Sequence, residues 1–371
     1  MRPRRALVST RKGLFEISQA DAGWQCQLIG FIADPVSISL FDARDGSIYA
    51  ALKLGHFGVK MHRRDAGSST WTEISTPSFP PQPPADAQEN SDVDWKLVQI
   101  WSLAAGGADQ PGVLWAGSLP GGLFRSEDRG ESWQLVEALW QHPLRREWMG
   151  GGAEVPGIHS ICVHPENSQH VLVGVSCGGA WLTTDGGASW QLKARGMLAA
   201  YMPGELAEVE HTQDPHLIVQ CPSSPQDYWC QHHNGIWRSQ DGAASWQQVK
   251  VHDANGQPQS DFGFAVAVHP HDSQCAWFVP AASDVCRLPV DAALYVSRTR
   301  DGGKSFTSLR EGLPQNNCYD LIYRHGLAVS SDGNALIMGS TTGGLWFSEN
   351  QGDTWQEISH TLPPIYAVRF L

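Results

Sequence analysis

The chain has 371 residues, with 26 basic against 38 acidic side chains and a net charge of -12, which excludes a protein that grips nucleic acid or an anionic membrane through bulk electrostatics. No run reaches the roughly 18 consecutive apolar residues of a membrane helix, so neither nucleic acid nor membrane is expected as a partner. The eight cysteines fall at irregular intervals with no C-x-x-C pair, which fits reduced thiols and a cytoplasmic location better than a disulfide framework.

In chain order, Arg2, Arg4, Arg5, Arg11 and Lys12 crowd the first dozen residues. A strand-like run, ALVST, follows at once in place of an apolar leader, so no signal segment is expected. Loose turn signals at QADAGW (19–24) and RRDAGSSTW (63–71) precede five closer copies of one pattern, S/T-x-D-x-G-x-x-W. These are SEDRGESW (126–133), TTDGGASW (183–190), SQDGAASW (239–246), TRDGGKSF (299–306) and SENQGDTW (348–355). The anchors Asp21, Asp65, Asp128, Asp185, Asp241, Asp301 and Asn350 are separated by 44, 63, 57, 56, 60 and 49 residues. Such spacing is too long for a solenoid coil and suits one four-stranded sheet per repeat.

Short alternating runs flank each copy, GGLFRS, GGAWLTT, NGIWRS or GGLWFS before it and WQLV, WQLK, WQQV or WQEI after it, so the pattern marks the turn of a β-hairpin. The Asp can accept hydrogen bonds from its own turn, the Gly supplies positive φ, and the aromatic packs the hairpin on its neighbour. Ala243 stands where other copies have Gly, at a cost of about 1–2 kcal/mol if that position is left-handed.

The repeated pattern resembles the Asp-box, or BNR repeat, of sialidases, xyloglucan-degrading glycoside hydrolases, sortilin-type receptors and a photosystem II assembly factor. The whole chain also resembles a group of bacterial proteins described as exo-sialidase-like. The resemblance implies an all-β fold, a β-propeller in which the box is a structural turn at the rim, remote from any catalytic centre. With strands lettered A to D from axis to rim, IHSICVHP, HVLVGVS, GAWLTTD and SWQLK form the fourth repeat. ALVST then corresponds to strand B and the terminal IYAVRFL to a lone strand A. The two are expected to share one blade of a seven-bladed, single-domain propeller over residues 1–371, which leaves no free sheet edge. The segment PSFPPQPPADAQENSD (77–92), rich in Pro and polar residues, reads as a flexible insertion.

This strand order places the boxes on one face and the B–C and D–A loops on the other, at the mouth of the central channel where propellers hold ligands. The B–C loops STRKG (9–13), LKLGHFG (52–58), QHHNG (231–235) and PAASDVCRLPVDA (280–292), with the D–A loops over 137–160 and 193–216, carry nearly every unusual polar residue. Glu154, His159, Glu210, His211, Asp214, His216, His232 and His233 can converge there, and imidazoles beside carboxylates are the ingredients of a metal site or of general acid–base catalysis.

Glu154, His159, His211, Asp214, His232 and His233 form the candidate catalytic set. His159, His216 and His232 are candidate ligands of a divalent metal ion, although no H-E-x-x-H or C-x-x-C spacing marks zinc. Arg11, Lys12 and Arg287 are candidates for an anionic group of the ligand, since Arg offers a planar fork. Trp148 is a candidate for stacking on a sugar, and His56 and His325 for further substrate contact. Each has a plainer alternative: a loop His bonded to backbone or solvent, an ordinary surface charge, a Trp packed between blades. For His164 and His269, in repeated VHP endings, the structural role is the preferred one.

A BNR sialidase would need three arginines for the substrate carboxylate, a Tyr–Glu nucleophile pair, an Asp acid and an early Phe-Arg-Ile-Pro segment. That segment is absent and seven repeats stand where the family has six blades, so sialidase activity is not expected. The xyloglucanase resemblance implies two catalytic Asp residues in a cleft between two propellers, while this length holds one. Carboxylates such as Glu154, Glu210 and Asp214 could serve another glycosidase. Two readings remain. One is a monomeric cytoplasmic hydrolase or lyase acting on a small-molecule or glycan ligand through a His and carboxylate centre over blades four and five. The other is a non-catalytic binding or assembly propeller that holds a protein partner.

Overall fold

The computed structural model describes residues 4–20, 23–82, 94–151, 153–253 and 256–371. The chain forms seven four-stranded antiparallel sheets, the blades of a seven-bladed β-propeller. Two compact units are distinguished, one over Asp42–Pro215 and the other over Met1–Phe41 and His216–Leu371. No helix among the described residues is long and apolar enough to cross a membrane.

In the first unit, blade 4 runs Ile158–Val163, Val171–Val175, Gly179–Thr183, Gln191–Leu192. In the second, blade 5 runs Pro215–Cys221, Ser224–His232, Gly235–Ser239, Gln247–Val249, and blade 6 runs Gly263–His269, Asp272–Pro280, Val296–Thr299, Thr307–Leu309. Blade 1 is the shared one: Ile365–Phe370 pairs with Arg5–Thr10, placing Val368 opposite Val8, and Gly13–Ala20 and Gly23–Gly30 complete the sheet. Apolar strand residues close the core of each unit, such as Val171, Val173, Val175 and Trp181 in one and Ala6, Val8, Ile337 and Val368 in the other.

Each of the five close boxes is a C–D turn, and its hydrogen bonds explain its composition. Thr183 Oγ1 and Ser189 Oγ donate to the two oxygens of Asp185 at 2.7 and 2.5 Å, and the Ser189 amide adds a third bond at 2.8 Å. Asp128, Asp241 and Asp301 accept the same three bonds in their own turns. Two consecutive residues at positive φ make each turn: Arg129–Gly130, Gly186–Gly187, Gly242–Ala243, Gly302–Gly303 and Gln351–Gly352. The second position is also tight. A Cβ on Gly303 would lie 2.4 Å from Val249 Cγ1, and one on Gly130 2.6 Å from Ile74 Cδ1, so the turn packs on the preceding blade there.

A further regularity carries no motif. An aromatic residue on strand B faces an arginine on strand C in four blades: Tyr49 with Arg63, Trp115 with Arg125, Trp229 with Arg238 and Trp277 with Arg298. Three of these arginines reach the next box turn. Arg63 donates to the Arg129 carbonyl at 3.1 Å, Arg238 to that of Gly302 at 3.2 Å and Arg298 to that of Gln351 at 2.9 Å.

In the segment read as a flexible insertion, Pro77 is buried and the ring of Phe79 packs on Phe124 and Trp140, with centroids 5.2 and 4.8 Å apart. Residues 83–92 of that segment, and the anchor Asp21, lie outside the described residues.

Candidate functional site

Among the described residues, titratable side chains gather where blade 5 begins. His216, buried on strand A of that blade, lies flat on Phe264 of blade 6, the ring centroids 4.6 Å apart and the planes at 16°. Its Nδ1 is 2.7 Å from the Gly263 carbonyl oxygen. A carbonyl only accepts, so Nδ1 carries the proton, and the neutral form of the ring would have its lone pair at Nε2. His233, at the tip of the B–C turn, meets His216 edge-on at 5.5 Å and Phe262 at 5.8 Å. Its Nε2 lies 3.6 Å from Asp284 Oδ2.

Ring nitrogens of His216 and His233 lie within 4.8 Å of one another. Asp214 stands two residues before His216 in the sequence. Asp214 is itself buried, and its Oδ1 accepts the Cys177 amide at 3.1 Å. The Cys177 sulfur is 3.7 Å from the Tyr201 hydroxyl, which donates to the Thr212 carbonyl at 2.9 Å. Burial, with Cys177 and Asp214 nearby, pushes that phenol well above its ordinary range.

The other candidates disperse. His232 is fully buried, and its Nδ1 accepts the Asn234 amide at 2.9 Å, which ties down its own turn. His159 is also fully buried, with Nδ1 2.8 Å from Ser160 Oγ and its ring edge-on to Trp101. Of the expected metal set His159, His216 and His232, only His216 enters the group above, where His233 meets it. His211 pairs with Glu147 at 2.9 Å, and Glu210 accepts the Ala194 amide at 2.7 Å. Glu154 is exposed.

Trp148 is buried against Trp181, and a Cβ on Gly178 would come 2.9 Å from its indole, so the ring serves packing in blade 4. His56 is exposed in a short turn beside Phe57. Arg11 and Lys12 are exposed in the first B–C loop. His325 is buried, and its carbonyl accepts the Val368 amide at 2.9 Å, anchoring the closing strand.

Arg287 does reach the group: its guanidinium carbon stands 5.6 Å from the centre of the Phe264 ring. Arg324, which sequence reasoning passed over, stands at the same distance from the same ring. Tyr323 packs on that ring edge-on at 4.9 Å. The signal for this cluster was the alternation of Phe262 and Phe264 at the start of a strand, two aromatics on one face.

No family model matches the chain. A curated relative, an oligoxyloglucan-reducing end-specific xyloglucanase of Emericella nidulans, is 24% identical over 252 residues, which is 68% of this chain and 26% of the xyloglucanase. The chain therefore spans about a quarter of that relative's length. The GH74 xyloglucanase from Xanthomonas campestris superposes with a TM-score of 0.64 at 18% identity, covering 95% of this chain and 52% of that one. An ancestral GH74 enzyme gives 0.60 at 16% identity, over 88% and 38%. YCF48 bound to a D1 peptide gives 0.51 at 15% identity, over 87% and 82%. At these identities the likeness is one of fold.

Proposed function

We propose that the chain is a propeller hydrolase acting on a glycan or related small molecule, with a His and carboxylate centre at His216 and His233, beside Asp284, that holds a divalent metal ion. The observation that carries this reading is the bond from His216 Nδ1 to the Gly263 carbonyl. A metal-ligating His characteristically donates its second nitrogen to a carbonyl or carboxylate, which fixes ring and tautomer. Two imidazoles and one carboxylate suit zinc, and equally manganese or iron(II). An ion bound there would lower the pKa of a coordinated water toward neutrality and so furnish a nucleophile. Asp284 holds His233 in place, and Phe264 under His216 keeps that ring in a drier setting. The similarity to xyloglucanases supports hydrolysis and a glycan. Eight free cysteines, five of them buried, support a cytoplasmic location.

Elemental analysis after reconstitution with zinc or manganese should give one ion per chain. His216→Ala and His233→Ala should each weaken metal binding by tenfold or more and abolish any glycan hydrolysis found by screening. Absence of bound metal in the parent protein, with no change in its melting on adding either ion, would overturn the reading. The alternative, a non-catalytic propeller that holds a protein partner, draws support from Val285, which is 92% exposed in the long B–C loop. Under that alternative Val285→Asp abolishes partner binding, while the two His variants change nothing.

A further inference from the structure

We infer that Arg369 holds an oxyanion, the phosphate or carboxylate group of a small molecule, at the inner edge of blade 1. The site stands on other residues than the metal centre and does not depend on it. Arg369 lies on Ile365–Phe370, the strand at the inner end of its sheet. Its neighbour Val368 fixes the direction in which it faces. Val368 stands opposite Val8, yet its amide donates outside the sheet, to the His325 carbonyl at 2.9 Å. The N–H and C=O of one strand residue point to the same side, so the Val368 carbonyl also turns away from Arg5–Thr10, over the free edge of the strand. Arg369 Nη1 donates to that carbonyl at 2.9 Å, which lays the guanidinium along the edge nearest the propeller axis.

The local bonding leaves the charge of this group in place. A backbone oxygen engages one of arginine's five donors without neutralising the guanidinium, and among the described residues no carboxylate pairs with it. The acid in the same row of the sheet is engaged elsewhere: Leu7 separates Arg369 from Glu16, and Glu16 accepts Arg5 Nε at 2.7 Å. Burial pushes the Arg369 pKa down to about 10, so the group stays charged at neutral pH in a setting that disfavours charge. A partly buried charge without a counter-charge is costly, and an oxyanion bonded to it offsets that cost. Arginine's planar fork matches the two oxygens of a carboxylate or phosphate. The approach along blade 1 is positive as well. Arg11 and Lys12 are exposed in the B–C loop of that blade, and the Arg11 amide donates to the Pro364 carbonyl at 2.9 Å, just ahead of the inner strand. Tyr366, 37% exposed on the inner strand, has a phenol that burial raises and the Arg11 charge lowers. By strand rise it stands roughly 10 Å from Arg369. In a protein of net charge -12, these cations mark a local path for an anion.

Calorimetric titration of the purified protein with inorganic phosphate, glucuronate and glucose, at constant ionic strength in chloride, tests this. At least one anion should bind, and neutral glucose should not. Arg369→Gln should weaken binding by tenfold or more with unchanged circular dichroism and no lower melting, since it removes a charge that burial disfavours. Arg369→Lys, which keeps the charge without the fork, should retain part of the affinity. Arg300→Gln, in the box turn of blade 6, and His216→Ala, which disrupts the metal centre, should bind as the parent does. Binding of phosphate alone assigns a phosphate, and of glucuronate alone a carboxylate. Failure of both anions to bind, equal binding of glucose, unchanged affinity in Arg369→Gln or an equal loss in Arg300→Gln overturns the inference. A loss confined to His216→Ala moves the anion to the metal centre and overturns it too.

Discussion

Ala243 and His233 show how much one residue decides in this chain. Ala243 has φ 64°, the only alanine at a position that Gly holds in the other four close boxes. A left-handed alanine costs about 1–2 kcal/mol, and exchanging it for glycine returns about 0.4–1 kcal/mol of that through the freer unfolded chain. Ala243→Gly should therefore stabilise by up to about 1 kcal/mol, read as a higher urea midpoint at unchanged slope. A lower midpoint would mean that the buried methyl contributes more through packing than its backbone costs. The paired His232 and His233 make a different point. Pairing of His232 with Gly235 leaves His233 and Asn234 as the two turn residues, so His232 is buried and His233 reaches His216. The sequence names both histidines as candidates but does not set the register that separates them, because a slip of one residue exchanges their faces.

Among the elements, the box turn was the most legible, since every bond it makes lies within eight residues. Its Asp, its hydroxyls and its glycines each announce a local geometry. The same bonds make it acid-labile. Hydrogen bonds from Ser189 and Thr183 hold the Asp185 carboxyl down at about 2, and those from Ser132 and Ser126 lower that of Asp128. A carboxylate lowered by folding stabilises above its ordinary value near 4, and that contribution is lost as pH falls through the lower folded value. Blade 7 supplies an internal control. Asn350 replaces the Asp, and its Oδ1 accepts Ser348 Oγ and the Thr354 amide, both at 2.9 Å, with no charge to lose. Hydrogen exchange should show protection at the Ser132 and Ser189 amides falling between about pH 4 and 2, while that at Thr354 holds. Parallel loss at all three would place the acid sensitivity elsewhere. The loops over blades 5 and 6 were less legible, because Phe264, Arg287 and Arg324 meet only through contacts between blades and no motif marks them.

At the scale of the molecule, three arginines that face an aromatic across strands B and C each tie their blade to the next. Arg298 is the clearest case, since Trp277 Nε1 and Arg298 both donate to the Gln351 carbonyl at 2.9 Å, and Arg298 also pairs with Asp353 at 2.7 Å. Arg298→Ala should cost about 2 kcal/mol by removing a buried side chain that donates to the half-buried Gln351 carbonyl and pairs with Asp353. Arg300→Ala, half-exposed and 4.0 Å from the same Asp353, should cost nearly nothing in the same denaturant titration. Equal losses in the two variants would make the joint a matter of surface charge. The seven-fold repeat and the shared blade were readable because they follow from spacing and strand period. The arginine joints were not, since a lone Arg in a strand carries no pattern of its own. The shared blade has a consequence for how the chain is made. Arg5–Thr10 is translated before every strand that separates it from its inner partner Ile365–Phe370. At about 5–20 residues per second, one edge of the nascent first blade waits roughly 20–70 seconds for its neighbour, so this strand is where a holding chaperone would be needed during synthesis.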